Sequence, residues 1–262
     1  MIKISHETPI CLLKESKHFN DYQYALVHLL ENNEEYRNHF LECRDENIPI
    51  YLDNSLHELG TAIGGEILLK WINILKPQYV FVPDVWEDKT ASIVNAREWI
   101  QYELPEETTK IAIVQAKSLA EAIECTMTYK DLGYKKIAYS YGASFYNDLV
   151  KHPNPYIGKA LGRVSMISHF YKIGLLTPTD KVHLLGTACP IEFAFYKDIK
   201  CIDSIDTSNP IMLTLDKKEY NDTFTNDKPI SNMNNSINID YSKIDLNLLE
   251  ENITKFKNLF ND

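Results

Sequence analysis

Seven short apolar runs, rich in Val, Ile and Tyr, recur through the first four-fifths of the chain: Pro9–Leu13, Ile48–Asp53, Tyr79–Asp84, Lys110–Gln115, Lys136–Gly142, Lys181–Gly186 and Cys201–Asp206. Continuous apolar runs of this length read as strands buried on both faces. Helical patterns separate them. Residues 63–76 and 158–173 carry apolar positions at helical spacing, and over 118–131 Leu119, Ile123 and Met127 recur every fourth residue. Ser118 with Glu121 forms a capping box, Gly133 and Gly174 supply stops, and Pro190 with Glu192 opens a further short helix. Strands alternating with helices imply a parallel sheet. The fold expected is α/β, a closed (β/α)8 TIM-like barrel with its eighth strand within 211–241. An open doubly wound sheet is the alternative.

Composition narrows the function. The chain has 262 residues, and 37 Asp+Glu against 27 Lys+Arg give a formal net charge of −10. That balance argues against a generally basic nucleic-acid binder but leaves room for a local basic patch. The length suits one barrel domain over 1–262. After Pro210 the chain turns polar, with a loop expected at about 216–244 and a C-terminal amphipathic helix at about 246–260 carrying Leu249, Ile253 and Phe256. Cys11, Cys43, Cys125, Cys189 and Cys201 form no C-x-x-C pair, and Met1-Ile2-Lys3 opens nothing like a signal peptide. Reduced thiols in the cytoplasm are expected. No apolar run approaches the roughly 20 residues that span a bilayer.

In parallel α/β folds, functional residues gather at the carboxyl ends of strands. Those ends here are Asp53, Asp84, Gln115, Gly142, Gly186 and Asp206. Taken singly, an Asp after a strand also reads as a helix cap or turn residue, and a Gly as a turn residue. Together, three carboxyls and an amide at strand ends point to chemistry, since such groups resist burial unless paired or used.

These segments resemble the tRNA-guanine transglycosylases and their DNA-modifying relatives in phages and bacteria. Leu52-Asp53-Asn54-Ser55 is similar to the family's Asp-Ser-Gly-Gly-like segment, and Val82-Pro83-Asp84 to the strand ending in a base-recognising Asp. Ile113-Val114-Gln115-Ala116 resembles its Ile-Val-Gln-Gly strand, and Tyr139-Ser140-Tyr141-Gly142-Ala143 its Tyr-x-x-Gly-Gly strand. His183–Pro190 is similar to its Leu-x-Gly-x-Gly-x-Pro turn, and Ile205-Asp206-Thr207-Ser208-Asn209-Pro210 to its nucleophile strand, Phe-Asp-x-x-x-Pro. Asp203 competes for that last place without the Pro spacing. The likeness covers about 48–210. The family's zinc subdomain has no counterpart, since no Cys follows Cys201 and no His follows His183. The glycine pair after the first Asp and the Arg-bearing stretch after the nucleophile are also missing. A compact, zinc-free chain looks more like the DNA-directed members.

The resemblance implies a base exchange: guanine in DNA, or in tRNA, replaced by a free 7-deazaguanine base, with no cofactor and no metal. Asp206 would be the nucleophile on the sugar and Asp53 the general acid/base, with a raised pKa, following the logic of retaining glycosidases. Asp84, Gln115 and the Gly142 backbone would select guanine, with Tyr141 or Phe145 as a stacking wall. Lys159 and Arg163, within the cationic stretch 151–172 (Lys151, His152, His169, Lys172), would contact phosphates. A protein partner or homodimer could supply further positive charge. Two rivals remain at this stage. One is a metal-dependent barrel hydrolase using Asp53, Asp84, Asp206 and His57, and the other a catalytically silent nucleic-acid binder.

Overall fold

The computed structural model describes residues 2–260. Eight strands form one all-parallel sheet: β1 (Lys3–Ser5), β2 (Gln23–Leu26), β3 (Ile50–Asp53), β4 (Tyr79–Phe81), β5 (Thr109–Val114), β6 (Lys136–Ser140), β7 (Lys181–Leu185) and β8 (Ile202–Asp206). Their order is β1-β8-β7-β6-β5-β4-β3-β2. From β2 to β8 each strand neighbours its successor, and β1 pairs with β8, Lys3 opposite Ser204 and Ser5 opposite Asp206. That order, nearly closed and with helices in the connections, is the (β/α)8 TIM-like barrel class. No helix among the described residues is long and apolar enough to cross a membrane.

Contacts gather into two units. One comprises 21–140 with 180–183, and the other draws on 1–20, 141–179 and 184–262. In the first, β2 to β6 pair in register, with Leu26 opposite Asp53 and Val114 opposite Tyr139. Rings fill the space between strands. His183, which reads from the sequence as a core histidine, is fully buried, 4.9 Å from the Phe81 ring and 6.0 Å from that of Tyr51. Lys136 is buried as well, its ammonium 4.2 Å from the Tyr79 ring centre and 4.8 Å from that of Tyr51. Cation–π attraction offsets part of its desolvation.

In the second unit, helix Asn209–Leu215 packs against helix Leu246–Asn258 through Ile211, Met212, Leu249 and Ile253, with Leu12 completing the cluster. Helix Pro155–Lys172 begins with Asn154 as its cap, and helix Tyr146–Leu149 lies across it at Gly162.

Three expectations change. Pro9–Leu13 is a 3-10 turn, Ile10–Leu12, leading into helix Leu13–Phe19. A short apolar run cannot be told from buried helix by periodicity alone. No strand lies within 211–241 among the described residues. Pro210 instead sits in the first turn of a helix, and beyond 216 only short helical turns Met233–Ser236 and Tyr241–Lys243 occur before the last helix. The missing strands are β1, with one apolar residue between Lys3 and Ser5, and β2, which runs straight into helix Val27–Asn32. Finally, helix Leu119–Asp131 buries Ala122, Cys125, Thr126 and Tyr129, while Met127 is exposed. Tyr129 and Thr126 turn inward because their hydroxyls find partners there, the Ile113 carbonyl and the Tyr139 hydroxyl.

Close helix approach at Gly162 generates a test. A Cβ there would lie 2.2 Å from the Tyr146 carbonyl oxygen. Gly162→Ala is expected to destabilise the fold by about 1–3 kcal/mol in urea unfolding. Gly65→Ala, whose Cβ would make an ordinary 3.4 Å contact with Trp99, is expected to be neutral or slightly stabilising. Equal stability of the two variants would contradict this packing.

Candidate active site

Asp53 ends β3 as a buried carboxyl with partners on both oxygens. Oδ2 accepts from the Tyr24 hydroxyl at 2.7 Å, and Oδ1 accepts from the Ser55 backbone N–H at 2.6 Å. Ser55 takes the left-handed conformation, φ +61°, which turns its N–H back toward Asp53. Asn54 reaches across to β4. Its Nδ2 donates to the Val82 carbonyl and to Asp84 Oδ1, each at 2.9 Å.

Asp84 follows β4 and is almost wholly buried. Its second oxygen accepts from Gln115 Nε2 at 2.6 Å, while Gln115 Oε1 accepts from the Glu87 backbone N–H at 2.9 Å. Burial pushes the Asp84 carboxyl up to about 7. The hydrogen bonds from Gln115 and Asn54 pull it down, and the nearby charge of Asp53 raises it again. Asn54, Asp84 and Gln115 therefore form one hydrogen-bonded group, with Asp53 close enough for its charge to act on Asp84. Gln115 acts first on Asp84, but an amide nitrogen carries two hydrogens and can serve a ligand acceptor as well.

Within the other unit, Asp206 ends β8, also almost fully buried. It stands opposite Ser5 in the sheet, and the Thr207 N–H donates to the Ser5 carbonyl at 3.0 Å. Glu7 lies two residues past Ser5, so strand alternation carries it to the same side. There its side chain hydrogen-bonds the Asp206 carboxyl, which also accepts from the Gly186 backbone N–H. Burial pushes Asp206 up to about 7, against the opposing pull of the Glu7 and Gly186 hydrogen bonds and the Arg163 charge. Asp203, three residues earlier and half-buried, falls on the other face of β8. His6 likewise turns the other way, buried against Phe256 and Phe19, and burial with the nearby Lys257 charge holds its pKa down to about 3.

Gly186 is fixed from three directions. Besides its bond to Asp206, its carbonyl accepts from Arg163 Nη2 at 2.7 Å. Its φ is +58°, and a Cβ would meet the Tyr141 ring at 2.5 Å. Only glycine meets both demands.

Arg163 corrects an expectation. It is fully buried, with Nε and Nη2 each 2.8 Å from Glu192 and Nη1 2.9 Å from the Leu185 carbonyl. A guanidinium enclosed this way braces the β7 turn and does not meet a phosphate. Lys159 is half-buried and donates to the Gly142 carbonyl at 3.2 Å. Gly142 is buried two residues past the end of β6. Tyr141 is half-buried, and its N–H donates to the Leu185 carbonyl at 3.0 Å. Phe145 is buried against Tyr146, so it offers no open stacking face. Along 151–172, Lys151 pairs with Asp148, leaving His152, His169 and Lys172 as the exposed basic groups. His57 is exposed beside Trp86, with ring centres 6.1 Å apart. No group of three or more His, Cys, Asp and Glu is gathered as metal ligands among the described residues.

Sequence reasoning missed Tyr24 and Glu7. Both sit in or just past β2 and β1, neither of which forms a bounded apolar run in the sequence. The signal that could have found Glu7 is the pairing rule of the fold itself, since a barrel sets the end of its first strand beside the end of its last.

No protein-family model and no curated protein matches the chain.

The raised carboxyls predict a pH dependence of stability. Asp84 and Asp206 bind their protons more tightly folded than unfolded. Their contribution is therefore fully present below about pH 4 and is lost as pH rises through about 7. Thermal melts of the wild type should fall between pH 5 and pH 8, by at most about 1.4 kcal/mol per pH unit for each group. Asp84→Asn should flatten that fall, and an unchanged slope would show that Asp84 is not held protonated by burial.

Proposed function

We propose that the protein exchanges guanine in a polynucleotide for a free 7-deazaguanine base through a covalent Asp206–sugar intermediate. The observation that supports this most is Asp206 itself, a buried carboxyl at the end of β8, braced by a second carboxyl and a backbone N–H. A carboxyl in that position is costly to fold and has few structural uses. Its place in the chain order of strand-end residues matches the resemblance to the transglycosylases.

The exchange runs in two displacements. Ionised Asp206 attacks C1′ and the bond from C1′ to the base nitrogen breaks. Asp53 supplies the proton that the leaving guanine takes up. The incoming base then gives a proton to Asp53 as its ring nitrogen attacks C1′ and expels Asp206. Asp84, when ionised, accepts from the N1–H and amino group of guanine. Gln115 and the Gly142 N–H donate to O6, and Tyr141 flanks the ring. The mechanism calls on carboxyl groups alone and needs no resident cofactor.

DNA is favoured over tRNA because the chain lacks the zinc region of the tRNA enzymes. The target nucleotide must leave its stack, which favours single-stranded DNA. Lys159 and the exposed basic groups of 151–172 contact the backbone, and the net charge of −10 makes that binding weak and salt-sensitive. The cytoplasm suits five cysteines that form no C-x-x-C pair.

Incubation with guanine-containing DNA or tRNA and radiolabelled 7-deazaguanine bases tests the proposal. Label should enter DNA with the wild type and fall by at least about 10³-fold with Asp206→Asn, the scale of losing a covalent nucleophile. No incorporation into either polymer across several such bases would overturn it. Full activity of Asp206→Asn would remove Asp206 from the mechanism.

A further inference from the structure

We propose that Trp86, with His57 beside it, is a stacking platform for an unpaired nucleobase that flanks the target guanine in single-stranded DNA. This inference rests on the reading of Asp84 and Gln115 as the guanine-selecting pair.

Both rings hang from the frame that holds Asp84. Gln115 gives its amide nitrogen to Asp84 at 2.6 Å, and its carbonyl oxygen accepts from the Glu87 N–H at 2.9 Å. Asn54 does the same from the other side. Its nitrogen donates to Asp84 Oδ1 at 2.9 Å, and its oxygen accepts from the Leu56 N–H at 2.9 Å. Glu87 follows Trp86 and Leu56 precedes His57, so each amide fixes a loop that carries a ring. The loop of Trp86 is a tight turn, with the Asp88 N–H donating to the Val85 carbonyl at 3.0 Å. Ser92 Oγ accepts from the Val85 N–H at 3.0 Å, and Asp88 caps helix Lys89–Trp99 through the Ala91 N–H. Glu87 takes a φ of +49° at the third position of this turn, where glycine is favoured. The surrounding bonds hold that strained backbone in place, and what it displays is Trp86.

Trp86 is 40% exposed, whereas Trp71 and Trp99 are 3% and 5% exposed. The His57 ring is exposed as well, its centre 6.1 Å from that of Trp86 with the planes at 42°. Exposed Val85 and Leu59 add apolar surface on the same two loops. Charge decides what covers such a patch. The chain carries −10, and Glu58, Glu87 and Asp88 accompany the rings in sequence. Lys89, next along the chain, is ion-paired with Glu124. Attraction for phosphate is therefore weak here. Stacking on an aromatic ring needs no cation and accepts any base, because every base has a π-face. The target guanine must itself leave its stack, which uncovers a face of the base beside it. A neighbouring nucleobase thus matches this rim, and its phosphates stay clear of the acids.

Trp86 is the exposed one of the three tryptophans, which gives a direct readout. A single-stranded oligodeoxynucleotide holding one guanine, added to the intact protein with no free 7-deazaguanine base, should quench tryptophan emission saturably. Anisotropy of a dye-labelled strand should show Trp86→Ala binding about tenfold more weakly, with Trp86→Phe keeping most of the affinity. The logarithmic dependence of affinity on salt should have the same slope in wild type and Trp86→Ala, since no phosphate contact is lost. Replacing the nucleotides on both sides of the guanine by abasic sugars should weaken wild-type binding by about tenfold and leave Trp86→Ala nearly unaffected. That coupling is the signature of base and ring in contact. Failure of the wild type to bind the strand, unaltered affinity in Trp86→Ala, or equal abasic losses in both proteins would overturn the proposal. So would emission that follows protein concentration and ignores DNA, the mark of a second copy seated on the patch. Quenching and coupling without base exchange would leave the platform standing and sink the exchange. Active exchange with Trp86→Ala binding like the wild type would sink the platform alone.

Discussion

Desolvation of carboxyl groups governs the structure around both clusters of strand-end residues. A carboxylate taken out of water is held only if donors replace its hydration or if it keeps a proton. Asp53 has the Tyr24 hydroxyl and a backbone N–H, and Asp84 has two side-chain amides. Asp206 has a backbone N–H and a second carboxyl. Each solution recruits residues that would otherwise be free to vary. Asn54 spans from β3 to β4, Ser55 accepts a left-handed backbone, and Gly186 must be glycine. The Arg163–Glu192 pair is the same problem one layer out, where a fully buried cation is balanced by a bidentate carboxylate and used to clamp the carbonyls that end β7.

Much of this was legible in the sequence. Strands β3 to β8 announce themselves as apolar runs, and a parallel sheet follows from their alternation with helices. Asp53, Asp84, Gln115 and Asp206 were visible because polar residues at the ends of such runs stand out. What the sequence hid has a common cause. β1 has a single apolar residue, Ile4, between Lys3 and Ser5, and β2 runs straight into helix Val27–Asn32, so neither stands out as a bounded apolar run. With them went Tyr24 and Glu7, although these complete the partners of Asp53 and Asp206.

Side-chain direction was the second thing hidden. Arg163 sits in a cationic stretch and reads as a surface contact, yet its helix turns it inward to Glu192. Leu119, Ile123 and Met127 form a regular stripe, but hydroxyls with interior partners pull the neighbouring stripe inward instead. Pattern reports which residues share a face, whereas the partners available across the gap decide which face is buried. The net charge of −10 takes on a narrower meaning in this light. With Arg163 enclosed and Lys151 paired to Asp148, little basic surface remains along 151–172 to oppose it.

The central claim is that Asp206 forms a bond to the sugar of its substrate. Rapid denaturing quench during turnover on guanine-containing DNA, followed by proteolysis and mass spectrometry, reads that bond directly. The account predicts a nucleotide adduct on the peptide carrying Asp206, lost in Asp206→Asn. An adduct on another carboxyl, Asp203 included, or base exchange proceeding with no protein-linked strand at any time point, would contradict it.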